Sequence, residues 1–568
     1  MKYSQMKNYK PLALTGLIII SILTIAGCSD THYTAPEETP VVIVTPPDIP
    51  EALSVIISGS VLDKSTGNVI DSATVSFFEG ANIADSIKDT SGNSITSVAL
   101  TNGSFQVTTA DDITSFTMVV TADGYLDNAV DLSFEIDAET VVAQVSLMPK
   151  EAEGVSVVEF EAPVVAATVA QEVSVTTEEQ PGEADSTLGS AEVVIPAAVQ
   201  LQDAQGNPVS GSTLKIEVAY VESQEVQAGE SAEETTSIAA VIPEGLNDDA
   251  ASAEVLVPVG VAEINMADEN GTEIKNFSAP ITITVNLPED TDVPSAGRTV
   301  QTGDQFTVRS YDEETRQWST EDSQAVVGAL TNSVYPASLQ VDHLTLFALT
   351  DPVPVCEDNV SFAFSGDAIP ASSLVMSLQS DDLNQSGVLT PEDSSGAVLS
   401  ATGDKFVALA NAPTAGSASN ALGLSVNASA TVIVKDLSGN IWYNSSQDVA
   451  LCGETINVAL DNPVVAVGEN LAVSLVCSND ALVSTALENA VVTYRKDTNS
   501  AALVAAEGAA GSYALTGLDS SLSQYLVSVD TRGDAGIQST TVTPDGTDES
   551  LQISVSCSVA TGTGTGSS

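Results

Sequence analysis

Histidine is the scarcest of the residues that do acid–base or metal chemistry in this 568-residue sequence, occurring only at His32 and His343. A catalytic zinc centre takes three protein ligands, and two isolated imidazoles do not supply a zinc peptidase. No Gly-x-Ser-x-Gly elbow, phosphate-cradling Gly-Lys-Ser/Thr loop or dinucleotide glycine fingerprint occurs, so hydrolase, nucleotide and redox chemistry lack their usual geometry. Acids abound, but glycoside hydrolysis needs two of them facing each other in a groove. Aromatic platforms for a sugar are scarce, with tryptophan only at Trp318 and Trp442. The expectation is a protein with no catalytic residues and not an enzyme. His343, beside Leu344, Leu346 and Phe347, reads as a structural strand residue. What remains is one run of oxygen donors and five cysteines. The run places Asp382, Asn384, Ser386, the Val388 carbonyl, Thr390 and Asp393 around Gly387, which permits a sharp turn. The same residue types also favour an ordinary turn between strands.

The elements that must position these groups read as strands. Ala73, Val75 and Phe77 alternate, as do Val141, Ala143, Val145 and Leu147, and period two marks a half-buried strand. Asn102-Gly103 and Asp123-Gly124 supply turns whose residues accept positive φ. Cys356 and Cys452 bracket one domain-sized run of such strands, and Cys477 and Cys557 another. Four cysteines allow three connectivities. Parity favours Cys356–Cys452 and Cys477–Cys557, because Leu471, Val473 and Leu475 share a face with Cys477, and Ile553 and Val555 with Cys557. Two disulfides suit an oxidising exported environment.

Composition narrows the partners. Asp+Glu number 77 against Lys+Arg 16, a formal net charge of −61, with 4% aromatic residues. Such a field excludes nucleic acid as a partner and opposes approach to anionic headgroups. Any attachment to a membrane must therefore come from a lipid and not from a basic face.

Lys2, Lys7 and Lys10 precede an uncharged apolar run, Leu12 to Ala26, that ends in Ile25-Ala26-Gly27-Cys28. This resembles the lipobox signal of bacterial lipoproteins, which implies lipidation at Cys28 after cleavage and attachment of the membrane through that lipid. Ser29 follows the cysteine, and the resemblance then implies the outer membrane, facing the cell surface or the periplasm. Gly59-x-Val61-x-Asp63, Thr66-Gly67, Ala73-x-Val75, Asn102-Gly103-x-Phe105 and Gly124-Tyr125 together resemble the carboxypeptidase regulatory-like module, a prealbumin-like β-sandwich that is not itself a peptidase. Tyr311 to Trp318 with Asp342 to Ala348 resembles the end of ZU5-like exported β domains. The spacing from Asp382 to Asp393 resembles an EF-hand loop, which implies calcium as the cofactor, although Asp393 stands where that family has glutamate and Ser386 is neutral.

The fold class expected is all-β, with tandem immunoglobulin- or prealbumin-like β-sandwich modules behind the signal and a tether. The divisions are a signal at 1–27, a Pro-rich tether at 28–51 and a carboxypeptidase regulatory-like sandwich at 52–150. An acidic linker follows at 151–190, then a ZU5-like β domain with an acidic loop at 191–351. Two cysteine-paired sandwiches occupy 352–462 and 463–560, the latter echoing the first as a degenerate repeat. A disordered tail fills 561–568. The function expected is binding or adhesion in the cell envelope, with a glycan or envelope protein as partner; the alternative is a structural spacer of an envelope assembly.

Overall fold

The computed structural model describes residues 41–562 except 46–47, 101, 111–112, 135–138, 178–188, 224–225, 228–234, 237, 248–253, 314, 357–359, 371, 381–382, 390–397 and 402–423. The signal and Cys28 lie outside the described residues. Apart from short 3-10 turns such as Ile238–Ala240, the regular elements described are strands, so the chain is all-β. Within the expected tether, Val41–Thr45 is a strand paired with Ser558–Gly562, which also takes in the start of the expected tail. One compact unit is built on this pair, and the other spans Thr45–Ser558.

The first sandwich shows why its sequence signature has the residues it has. One sheet runs Thr140–Leu147, Ile56–Asp63, Ser104–Thr109, Ile87–Asp89; the other centres on Thr74–Glu79 and Ser115–Thr121. Gly59 is required because a Cβ there would come within 2.0 Å of the Phe105 ring. That ring in turn meets Phe77 edge-on at 6.0 Å, and Phe77 meets Phe116 at 5.7 Å. Such edge-to-face contacts add about 1 kcal/mol each beyond buried area. Asn102 and Gly103 both have positive φ, 60° and 68°, which closes the hairpin beneath Val69. Tyr125 donates to Asp63 at 2.7 Å, tying the end of the module to its first strand.

The same topology occurs three times. In the first module the opening strand pairs in parallel with the last, Ile56↔Thr140 through Asp63↔Leu147. The third repeats this with Ser361↔Thr455 through Gly366↔Leu460, and the fourth with Leu471↔Glu549 through Cys477↔Val555. The repeat read between the first and last modules therefore extends to the third. In the third and fourth a disulfide joins the ends, Cys356–Cys452 and Cys477–Cys557.

The second module is different: a twelve-stranded sheet that folds over on one core, with Ile216, Val218 and Ile264 packed in the same cluster as Val193, Ile283 and Leu339. Its first long strand is Val155–Val165, and Val173–Thr176 forms its other margin, so 151–190 is not a linker. Alternation is hidden in the long strand because burial changes sides along it. Val155 packs outward under the first module, while Ala162 and Val164 enter the second module's core. The acidic loop expected between Glu222 and Glu254 also contains an anchored part, where Ile238 and Leu246 are fully buried. Hairpins across three modules share one device, Asp-x-x-Gly-Asn/Thr, in which the aspartate accepts the amide four residues on. The bonds are Asp89–Asn93 and Asp203–Asn207 at 2.8 Å, and Asp268–Thr272 and Asp436–Asn440 at 2.9 Å.

Within Thr45–Ser558 the first and last sandwiches are docked on each other. Arg532 gives its guanidinium to the carbonyls of Thr90, Glu51 and Asn489 at 2.6, 2.5 and 3.0 Å. Asp530 accepts from Thr90, Arg495 reaches the Asn102 carbonyl, and the Val69 amide donates to Asn499 at 3.0 Å.

The disulfides give the first expected outcome. Cys477–Cys557 closes an 80-residue separation, and the chain-entropy model assigns such a loop about 4 kcal/mol. Replacing both cysteines with alanine should lower the denaturant midpoint of the fourth module accordingly and leave that of the first unchanged.

Candidate functional site: an acidic groove between the first two modules

The outer face of the second module's sheet is unusually polar for a surface covered by another domain. Cross-strand pairing lines up Glu159, Glu217 and Asn265 in one row. Beside it Val157, Ala219, Glu263, Leu346 and Tyr311 form another. Alternation explains this: the intervening residues Ile216, Val218, Ile264 and Met266 turn inward to the core. Like charges directly opposite, as with Glu159 and Glu217, destabilise a sheet. Lys150 relieves them by an ion pair to Glu217 at 2.6 Å.

The first module covers this face at its margins. Leu126, Met148 and Ala152 pack with Val155, Ala219 and Val221 on one side. On the other, Glu244 accepts the Asp131 amide at 2.8 Å and its own amide donates to Ala129 at 3.3 Å. Trp318 fixes that segment by donating to the Pro243 carbonyl at 3.2 Å. Arg316 lies over the Phe78 ring, 3.2 Å from its centroid, and donates to Gly80 at 3.0 Å.

Between these contacts is a groove of about 810 Å³, walled by Asp127 from the first module and by Glu217, Glu263 and Glu313 from the second. Glu217 has Lys150, and Glu313 has Lys275. Glu263 has only an amide, accepting from Asn265 at 2.9 Å. Its pKa is pushed up to about 7, first by desolvation and further by Asp127, Glu217 and Glu313. Asp127 is pushed up to about 6 by desolvation against the groove wall, which Lys150 partly opposes. Burial also raises Asp131 and Tyr311. Carboxyls that hold protons near neutrality are a charge sensor, because small changes in pH alter the net charge of the groove.

A second cleft, about 570 Å³, lies between the second and third modules and is lined by hydroxyls, among them Ser223, Thr291, Ser380, Ser425 and Ser429. Behind it the buried Glu222 accepts from the Gly189 and Ser223 amides at 3.0 and 2.9 Å.

The described part of the expected calcium site is a strand. Asn384, Ser386 and Val388 lie on the extended strand Asn384–Leu389, paired in register with Leu374–Gln379. Asp382, Thr390 and Asp393 lie outside the described residues. Among the described residues no three His, Cys, Asp or Glu side chains are grouped to hold a metal. His343 sits in a strand, 3.4 Å from Glu321 and against the Phe347 ring, and Glu321 raises its pKa. Sequence singled out Tyr311 to Trp318 for its ZU5-like resemblance and not as a site, although Tyr311, Glu313 and Arg316 line the groove; the signal available for the rest was the recurrence of acids on outward-facing strand positions.

No family model matches the chain, and no curated protein matches it. Among solved structures it is similar to the TIE protein of Bacillus anthracis at 10% identity and a TM-score of 0.13, covering 71% of this chain. The match spans 58% of that protein's length. It is similar to a putative membrane-associated protein of unknown function from Bacteroides fragilis at 10% identity and a TM-score of 0.14, over 53% of this chain and 99% of that one. The full-length major pilin RrgB of Streptococcus pneumoniae matches at 9% identity and a TM-score of 0.14, over 88% and 99%. At these values the β-sandwich assignment rests on the chain's own sheets.

Arg316 is the contact most specific to this junction. Arg316→Ala should weaken docking of the first module by about 1–2 kcal/mol through loss of the stacked ring and the carbonyl bond. In calorimetry the first module should then unfold as a separate, earlier transition.

Proposed function

We propose that this protein is a non-catalytic, lipid-anchored envelope protein that presents docked β-sandwich modules for binding. One observation carries the reading: two clefts among the described residues, about 810 and 570 Å³, lie at junctions between modules. Sites at domain interfaces are where ligands are commonly held, and here their walls are carboxylates and hydroxyls without a nucleophile–base pair. The hydroxyl-lined cleft suits a polyhydroxylated envelope polymer, and a glycan is the ligand class assigned to it. The resemblance of the first module to carboxypeptidase regulatory-like domains supports display in place of catalysis. Anchoring at Cys28 and residence at the outer membrane follow from the lipobox resemblance. No helix among the described residues is long and apolar enough to cross a membrane.

The assembly reading has one observation in its favour. Ile537–Val542 is an edge strand without a charged residue, a surface that another strand can extend. A pull-down from detergent-solubilised envelope separates the two: retention of polysaccharide without protein supports binding, and retention of a stoichiometric protein without polysaccharide supports assembly.

Anchoring has its own outcome. Cys28→Ala should abolish incorporation of a palmitate analogue and move the protein from the membrane to the soluble fraction, whereas persistent label would place the anchor elsewhere.

A further inference from the structure

We propose that the junction between the first and second modules is a proton-operated clamp, which closes more firmly as the surroundings acidify. The geometry is that of two bodies held at their margins over a groove whose opposing walls carry like charge. From the first module comes Asp127; from the second come Glu217, Glu263 and Glu313. Two of the four are neutralised, Glu217 by Lys150 at 2.6 Å and Glu313 by Lys275. Among the described residues Asp127 and Glu263 are in no ion pair.

At the edge of the groove the first module's Asn128–Ser133 strand brings Asp131 against Glu244 of the second. The Val155–Val165 strand adds Glu159 and Glu161, and Thr213–Val221 adds Lys215 beside Glu217. The Glu254–Asp268 strand brings Asn265, whose amide already donates to Glu263. The turn after that strand brings Glu273 with Lys275, 3.5 Å apart, and the turn after Gln305–Asp312 brings Glu313 and Arg316, with Tyr311 at the strand's end. Arg316 is committed to Phe78 and Gly80. Acids therefore outnumber cations around the groove, and closing it brings Asp127 towards three further carboxylates.

The sign follows from linkage. Both carboxyls have pKa values in the closed state above those of free carboxyls, about 6 for Asp127 and about 7 for Glu263. Opening the joint admits water and separates the charges, so the open state holds these protons less tightly. The closed state then binds more protons between about pH 4 and 7, and it gains on the open state as pH falls through that window. Above pH 7 both groups are ionised and the closed joint bears the full repulsion.

The clamp is read by hydrogen exchange in the full chain at pH 8.0 and pH 5.5, corrected for the intrinsic pH dependence of exchange. The reporting amides are Asp131 and Glu244, which bond across the joint. Protection in the native protein should rise roughly tenfold on acidification, the effect of about one unit of pKa difference between open and closed states. Amides of Val491–Arg495 in the fourth module serve as the internal reference and should not change. In Glu263→Gln, protection at pH 8.0 should already match the acid value, with most of the pH dependence lost; Asp127→Asn should do the same in part. Raising salt at pH 8.0 should increase protection in the native protein and leave Glu263→Gln nearly unaffected. An unchanged pH response in Glu263→Gln, or an equal rise in the fourth-module reference, would overturn the proposal. Should Glu263→Gln fail to fold, Asp127→Asn, on the opposite wall, carries the test alone, and a native pH response there would likewise overturn it.

Discussion

Cations are scarce in this molecule, and five of them sit at the joints between modules. In a chain with 16 basic residues against 77 acids, self-repulsion opposes any compact arrangement of modules. Arg316 grips the first module from the second, Lys150 sits where they meet, and Arg495 and Arg532 join the fourth to the first. Lys496 reaches the Ser438 carbonyl of the third. Most of these cations address backbone carbonyls in place of carboxylates. A carbonyl partner leaves no charge to be cancelled, so each cation keeps its full effect in offsetting surrounding acid; burial lowers the pKa of Arg532, and the charge of Asp530 opposes that shift.

Much of the fold was legible because half-buried strands write their burial into the sequence with period two. The strands at Thr74–Glu79 and Thr140–Leu147 fall where alternation put them, and both disulfides follow the parity of their flanking residues. Legibility failed where burial did not alternate. Val155–Val165 is covered by one module at its start and serves another at its end, so it resembled an acidic linker. Ile238 and Leu246 are single anchors in a polar stretch. The third repeat was missed because parallel pairing of first and last strands is a property of topology, and Ser361↔Thr455 leaves no mark on either segment alone.

The groove was illegible for a different reason. Its residues come from separate strands of one module and a loop of another, and nothing local marks Glu263 as different from the many exposed glutamates. At Asn384–Leu389, oxygen donors at alternate positions around Gly387 read as a turn from sequence, whereas the segment is a paired strand. Acidity in this chain is thus of two kinds: a dispersed coat on outward strand positions, and a small enclosed set at a joint that senses the state of that joint.

Arg495 and Arg532 hold the first and last modules together through backbone carbonyls across their contact. Thr90 and Asp530 touch across that contact at 2.5 Å, next to Arg532. Cysteines introduced at Thr90 and Asp530 measure it directly under mild oxidation. The account predicts near-complete cross-linking in the otherwise native chain and a large loss of yield when Arg532 is also alanine. Absence of the cross-link, or a yield indifferent to Arg532, would contradict it.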